Sequence, residues 1–302
     1  MLSRITSVLV LGMAILSLPS LTWAELSVQD ENGVFIISEV PKRIVVLELS
    51  FANALATVGV SPVGIADDND ENILLPEVKS QLKPWVSLGM RSQPSLENIS
   101  ALQPDLIIAD FERHASVYEN LSLIAPTLLL KSRGETYQEN LETATKIGIV
   151  VSKSTEMQKR IHDHKVIMAD YRQTFEKIKD VGTVQFAVVN SRGMWLHGPS
   201  SYAGGVLNAL GLESPIPNKT STAYLPTSLE LLLSVNPNWL LVGAYGDHTI
   251  LDDWYENTSL VQMLHSMQND RIIDVSPELW SLNRGMLAAE GIAKNLQEIV
   301  SH

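Results

Sequence analysis

Apolar residues fall along this chain in two signatures, short unbroken runs and positions spaced three or four apart. Residues 43–49, RIVVLEL, form an unbroken run of the kind seen in a strand buried on both faces. Residues 26–38 alternate polar and apolar around Asn32-Gly33, a dipeptide that marks a tight hairpin. Ser50 then reads as the cap of a helix through Val58. Strands follow at 63–66, 105–109 and 127–131, with helices at 95–103 and 136–148. Strands alternating with helices predict an α/β fold with a mainly parallel sheet covered on both faces.

The plan then repeats. Residues 94–110, PSLENISALQPDLIIAD, recur 133 positions later as 227–243, TSLELLLSVNPNWLLVG. Ser95, Leu96 and Glu97 match Ser228, Leu229 and Glu230, and Pro104 matches Pro237. Around the second copy lie a strand at 184–189, a loop, a helix at 202–210, a strand at 271–275 and a last helix from about Arg284 to Val300. Between the copies, residues 151–180 place Met157, Ile161, Met168, Tyr171, Phe175 and Ile178 on one helical face, with Thr155 and Gln158 as a capping box. At 1.5 Å per residue such a helix spans roughly 40 Å, a length suited to a strut between two lobes. The expected domains are a leader at 1–24, a first lobe at 25–150, a linking helix at 151–180 and a second lobe at 181–302.

The leader rests on Arg4, the short apolar stretch Val8 to Leu18 and a Thr22-Trp23-Ala24 cleavage site. Cleavage near Ala24 leaves about 278 residues, with 34 acidic against 21 basic side chains once Arg4 is lost. An acidic chain lacks the basic face that neutralises phosphates, which argues against nucleic acid. There is no cysteine, hence no disulfide, no lipid-bearing thiol and no thiolate nucleophile. Export without lipidation points to a periplasm and a diffusing monomer.

Of the nine arginines after the leader, five fall in loops beyond predicted strands: Arg91, Arg113, Arg133, Arg192 and Arg284. Ligands of open α/β sheets sit beyond the carboxyl ends of the strands. A guanidinium fork meets carboxylates in pairs of hydrogen bonds and keeps its charge. Together the five would form a basic basin for an anion. The helix starts at Ser50 and at Gly198 to Tyr202 add amide groups at matching places. Tyr202, Tyr245, Trp280 and Trp85 lie in or beside these loops, where aromatics can pack on ligand carbon or on guanidinium planes, and the first three are expected to meet the ligand. Asp67, Asp68 and Asp70 lack the Gly and distant Glu of a calcium loop and read as a turn or cleft rim. His162 and His164 face different ways on a helix, and no HExxH, GxSxG or phosphate loop occurs, so neither a metal site nor catalysis is expected.

The stretches RIVVLELSFANALATVGVSPVGIADDND, QPSLENISALQPDLIIAD, IAPTLLLKSRGETYQENL and RGMLAAEGIA resemble the periplasmic iron–siderophore binding proteins of ABC importers, above all those that take ferric citrate. Residues 180–225 and 246–270 carry least of the likeness. The resemblance implies class III architecture, with two lobes on a helical backbone and the ligand between them. It implies ferric citrate or a similar anionic iron chelate as cargo, with citrate oxygens already satisfying the iron and no separate cofactor. It also implies that Glu97 and Glu230 meet basic residues of an inner-membrane permease dimer, and that the lobes close little. Binders of another siderophore or a corrinoid, a zinc binder and a periplasmic enzyme are the competing readings.

Overall fold

The computed structural model describes residues 25–217 and 222–301; the expected leader lies outside them. At the start, β1 (Leu26–Asp30) turns back on β2 (Gly33–Ile37), and Gly33 adopts a φ of +130° that a side chain would strain. The apolar run is a strand for only part of its length. β3 (Ile44–Val46) gives way to α1 (Leu49–Ala56), whose N-cap residue is Glu48, not Ser50. Ser50 lies inside the helix and shares a 2.7 Å hydroxyl hydrogen bond with Ser132. The expected serine cap is therefore absent there.

β4 (Gly64–Ile65), α2 (Pro76–Lys79), β5 (Val86–Ser87) and the small ribbon of β6 (Gly89–Met90) and β7 (Gln93–Pro94) follow. The first copy of the repeat gives α3 (Leu96–Ala101) and β8 (Leu106–Asp110). Next come α4 (Phe111–His114), α5 (Tyr118–Ile124), β9 (Thr127–Leu130) and α6 (Tyr137–Val150), the last opened by a Thr136–Glu139 capping box. The first sheet has the order β5-β4-β3-β8-β9 and is parallel throughout.

The linking helix is α7 (Ser154–Phe175), 22 residues, shorter than the periodicity suggested. Its capping box does not form: Lys153 holds the cap position without a side-chain cap bond and pairs with Glu156 at 2.7 Å. The predicted face is present, with Met157, Met168 and Phe175 buried.

The second sheet departs from the expected plan. Between β10 (Val184–Asn190) and α8 (Tyr202–Ala209), where a loop was expected, runs β11 (Gly193–His197). It is antiparallel to β10 and to β12 (Tyr224–Thr227). The second copy of the repeat supplies α9 (Leu229–Val235) and β13 (Trp239–Ala244). After α10 (Ile250–Asn257) and α11 (His265–Gln268), β14 (Ile272–Asp274) completes the order β12-β11-β10-β13-β14. β10, β13 and β14 are mutually parallel, so this sheet is mixed where the first is not.

Both sheets are covered on two faces. Val46 and Val45, neighbours in β3, enter different core clusters, as do Phe186 and Ala187 in β10. The last helix, α12 (Met286–Val300), joins the halves: Met286 and Ala288 pack in the first core, Ala289, Ile292 and Leu296 in the second. A partly buried polar chain centred on His164 reinforces this junction. Tyr137 Oη meets His164 Nε2 at 2.6 Å, His164 Nδ1 meets Glu290 at 2.6 Å, and Arg160 donates to the same carboxylate at 2.7 Å. His164 is thus committed to holding three helices together.

Candidate functional site

The site begins with a charge in the wrong place. Glu48 follows β3 in extended conformation (φ −143°, ψ 148°) and is fully buried. A buried carboxylate is costly unless paired, and three of the five predicted arginines converge on it. Arg91 Nη1 lies 3.6 Å and Arg284 Nη2 3.4 Å from Glu48 Oε2, while Arg113 Nε meets Oε1. Glu48 was overlooked in the sequence because it sits within an apolar run. A lone acid in such a run was itself the available signal.

The loops that carry Arg91, Arg113 and Arg133 are anchored by carboxylates at or just beyond strand ends. Arg91 forks onto Asp68, with Nε and Nη2 donating to Oδ2 at 3.0 and 2.7 Å and its backbone N–H to Oδ1 at 2.7 Å. Burial works to raise the Asp68 pKa, but these Arg91 bonds outweigh it and the net shift is downward. Of its neighbours, Asp67 accepts from Trp85 Nε1 at 3.0 Å and Asp70 caps a short turn by accepting from Asn72 N–H at 2.9 Å. Asp110, at the carboxyl end of β8, accepts backbone N–H groups of Ser132 (2.7 Å), Arg133 (3.0 Å) and Arg113 (3.0 Å). It therefore anchors two arginine loops at once. Burial and then the charge of Glu48 raise its pKa against those three bonds. His114 Nδ1 accepts from Asp110 N–H at 2.9 Å, so Nε2 carries the proton it gives to Arg91 O at 2.8 Å. Burial lowers the His114 pKa, consistent with that neutral form.

Arg284 comes from the other end of the chain, between Asn283 and α12. Gly285 makes the turn possible: its φ is +127°, and a Cβ there would stand 2.5 Å from the Asn53 side chain. Arg284 donates to Ser132 Oγ at 2.9 Å and lies 3.4 Å from Glu135. Burial pushes Glu135 up to about 8, with Arg284 opposing the shift.

All five arginines line one cavity of about 490 Å³ between the halves. Arg91, Arg113 and Arg133 form the first-half wall. Arg192, Trp195, His197 and Tyr224 form the other, so β11, a strand where the sequence pattern suggests a loop, supplies much of the facing surface. His197 is held neutral near a pKa of about 3 by burial and then by the charge of Arg284. Its ring stands edge-on to Phe186 and Tyr224 at 4.7 and 4.8 Å. Among the described residues, the exposed side chains of Arg133 and Arg192 have no carboxylate partner, and Arg91 Nη1 and Arg284 Nε are buried without a hydrogen-bond acceptor. The cavity thus presents guanidinium groups on both walls, with aromatic carbon added on the second.

The other expected contacts fall elsewhere. Trp280 is buried, donating to Asn295 at 2.9 Å and packing 5.2 Å from Phe186. The buried Tyr202 donates its hydroxyl to Gly285 O at 2.7 Å. Ser201 caps α8 by accepting from Gly204 N–H at 3.0 Å, an ordinary helix start. Tyr245 is half-buried against Ser281, which does line the cavity. Trp85 packs on the first core. Glu97 and Glu230 stand exposed in the first turns of α3 and α9, just after the caps Ser95 and Ser228. The Ser228 hydroxyl lowers the Glu230 pKa.

A second cavity, about 440 Å³, lies on the opposite face of the second sheet, because Val189 lines it while Val188 lines the first. Asp247, Asp252, Asp270 and Asp274 surround it, a lining that repels an anion. Among the described residues no group of three or more His, Asp or Glu is arranged to hold a metal ion, and no helix is long and apolar enough to cross a membrane.

A family model described as periplasmic binding protein matches residues 44–279. The chain belongs to the periplasmic binding protein family. Within it, the chain is 49% identical over 278 residues to the Fe(3+) dicitrate-binding periplasmic protein FecB of Escherichia coli, covering 91% of this chain and 90% of that one. It is 38% identical to the Fe(3+)-citrate-binding protein YfmC of Bacillus subtilis, over 89% of this chain and 84% of that protein. Staphylococcus aureus SirA, solved with staphyloferrin B, shares the fold at a TM-score of 0.79 and 23% identity, covering 91% of this chain and 98% of SirA. In this chain the two five-stranded sheets stand on either side of the arginine-lined cavity.

Proposed function

We propose that this chain captures ferric citrate in the periplasm and delivers it to an ABC importer of the inner membrane. The observation that carries the reading is the convergence of Arg91, Arg113, Arg133, Arg192 and Arg284 on one cavity. Ferric citrate presents outer carboxylates around an iron whose ligands the citrates already supply. Such a cargo needs guanidinium donors and no protein metal ligands. The two relatives named for ferric citrate support the same cargo, and a Bacillus subtilis relative named as a putative ABC transporter substrate-binding lipoprotein supports the delivery route. A binding role without catalysis follows from this reading, as does a monomer with no resident cofactor. A catecholate or hydroxamate chelate exposes aromatic or amide surface, which five guanidinium groups match less well. Trp195 on the cavity wall gives a direct probe. Titration of ferric citrate is expected to quench tryptophan emission, and Trp195→Phe to remove most of that change. No quenching by ferric citrate, with strong quenching by a tris-catecholate chelate, contradicts the ligand assignment.

In the same reading Glu97 and Glu230 face a two-part permease, one glutamate per half. Their exposure and their matching places in the repeat support it.

A further inference from the structure

We propose that Glu48 is the positioning residue of the arginine site, fixing the directions of three guanidinium groups before any ligand arrives. It is fully buried at the junction of β3 and α1, and its two oxygens face Arg91, Arg113 and Arg284, which come from three separate segments of the chain. Its carboxylate makes no cap bond to its own helix, so it is committed to the arginines alone.

The three arginines depend on it unequally. Arg91 is also held by Asp68, and Arg284 by Ser132 and Glu135. For Arg113, Glu48 is the side chain's only ion-pair partner among the described residues, a close charge contact rather than an aligned hydrogen bond. Arg133 and Arg192 do not touch it. Glu48 therefore divides the five into three placed groups and two free ones.

This role has a sign that plain charge does not. Removing a negative charge from a site that binds an anion tightens binding if only Coulomb attraction matters. If placement matters more, the same removal weakens binding, because guanidinium groups must then be ordered by the ligand itself. Glu48→Gln keeps the shape and removes the charge.

The binding half of the test rests on the ferric citrate reading; the other half does not. With arginine side chains labelled with ¹⁵N, the Nε–Hε signals of Arg91, Arg113 and Arg284 in the ligand-free protein are expected to be as ordered as the backbone, with those of Arg133 and Arg192 mobile. In Glu48→Gln the Arg113 signal is expected to lose most of its order and the Arg284 signal part of it. Ferric citrate affinity is expected to fall about tenfold in Glu48→Gln and less in Glu48→Asp. Affinity that is unchanged or tighter in Glu48→Gln overturns the positioning role, as does unaltered order at Arg113. If Glu48→Gln does not fold, a mobile Arg113 signal in the wild type or full affinity in Glu48→Asp overturns it equally well. A wild type that fails to bind ferric citrate refutes the ligand reading instead, and the ordering measurement still decides the role of Glu48.

Discussion

Arg284 Nη2 stands 3.4 Å from Glu48 Oε2, a pairing across 236 positions of sequence. It brings the segment before the last helix onto the junction of β3 and α1, where Arg284 lines the cavity. Replacing Arg284 by Met removes one guanidinium from the cavity and leaves Glu48 with two partners. Ferric citrate affinity is expected to drop about 100-fold, and stability by about 2 kcal/mol, since losing one partner of a buried ionic group is costly. Calorimetric titration and chemical denaturation measure the two effects separately.

Arg133 and Arg192 reach the cavity from opposite halves and have no carboxylate partner among the described residues. The double change Arg133→Ala with Arg192→Ala is expected to weaken ferric citrate binding strongly while leaving the denaturation midpoint unchanged. The dependence of affinity on salt is expected to flatten, because these exposed charges are the ones ions screen. An unaltered salt slope would place the ligand's charge elsewhere.

Much of this arrangement was legible beforehand, and the gaps have physical causes. The arginines could be found because charged forks in loops after apolar runs have few structural reasons to be there. Glu48 was hidden because the run around it reads as a strand, whereas the strand ends at Val46 and the next turn starts a helix. β11 was missed because it is short and follows a tight turn. Yet the burial of Met194 and Leu196 around a more open Trp195 is a strand's alternation. Trp280 and Tyr202 looked like cleft residues from their place beside the loops, but their rings turn inward and their polar atoms find Asn295 and Gly285.

The neutral histidines contribute to the acid limb of stability. An unfolded His titrates near 6.5, roughly its free value, whereas burial holds His197 at about 3 and lowers His114. Between those values the unfolded chain binds the extra proton, so the histidines' contribution to stability falls as pH drops from about 6.5 toward 3. That of Glu135, raised to about 8, runs the opposite way above the ordinary carboxylate range. His197→Phe, which keeps an aromatic ring against Phe186 and Tyr224, is expected to flatten that limb in denaturation curves taken from pH 7 to 4. A limb equally steep in the variant would assign it to other groups.

Gly285 supports the site without lining the cavity. Gly285→Ala places a Cβ against Asn53 in a backbone conformation with φ +127°. The expected cost is about 2 kcal/mol or more, with a loss of ferric citrate affinity because Arg284 is displaced. Thermal melting and titration of the same sample check both.

Glu97 and Glu230 are expected to behave in the opposite way. Changing both to Ala should leave melting temperature and ligand affinity as in the wild type and abolish iron citrate uptake in cells. Lost affinity would move the two glutamates from a docking surface to the ligand.

Isothermal titration of the purified wild type with ferric citrate, iron-free citrate and a ferric hydroxamate tests the cargo most directly. Tight saturable binding of ferric citrate, weaker binding of citrate and none of the hydroxamate is the predicted result. Tight hydroxamate binding with no heat from ferric citrate would contradict it.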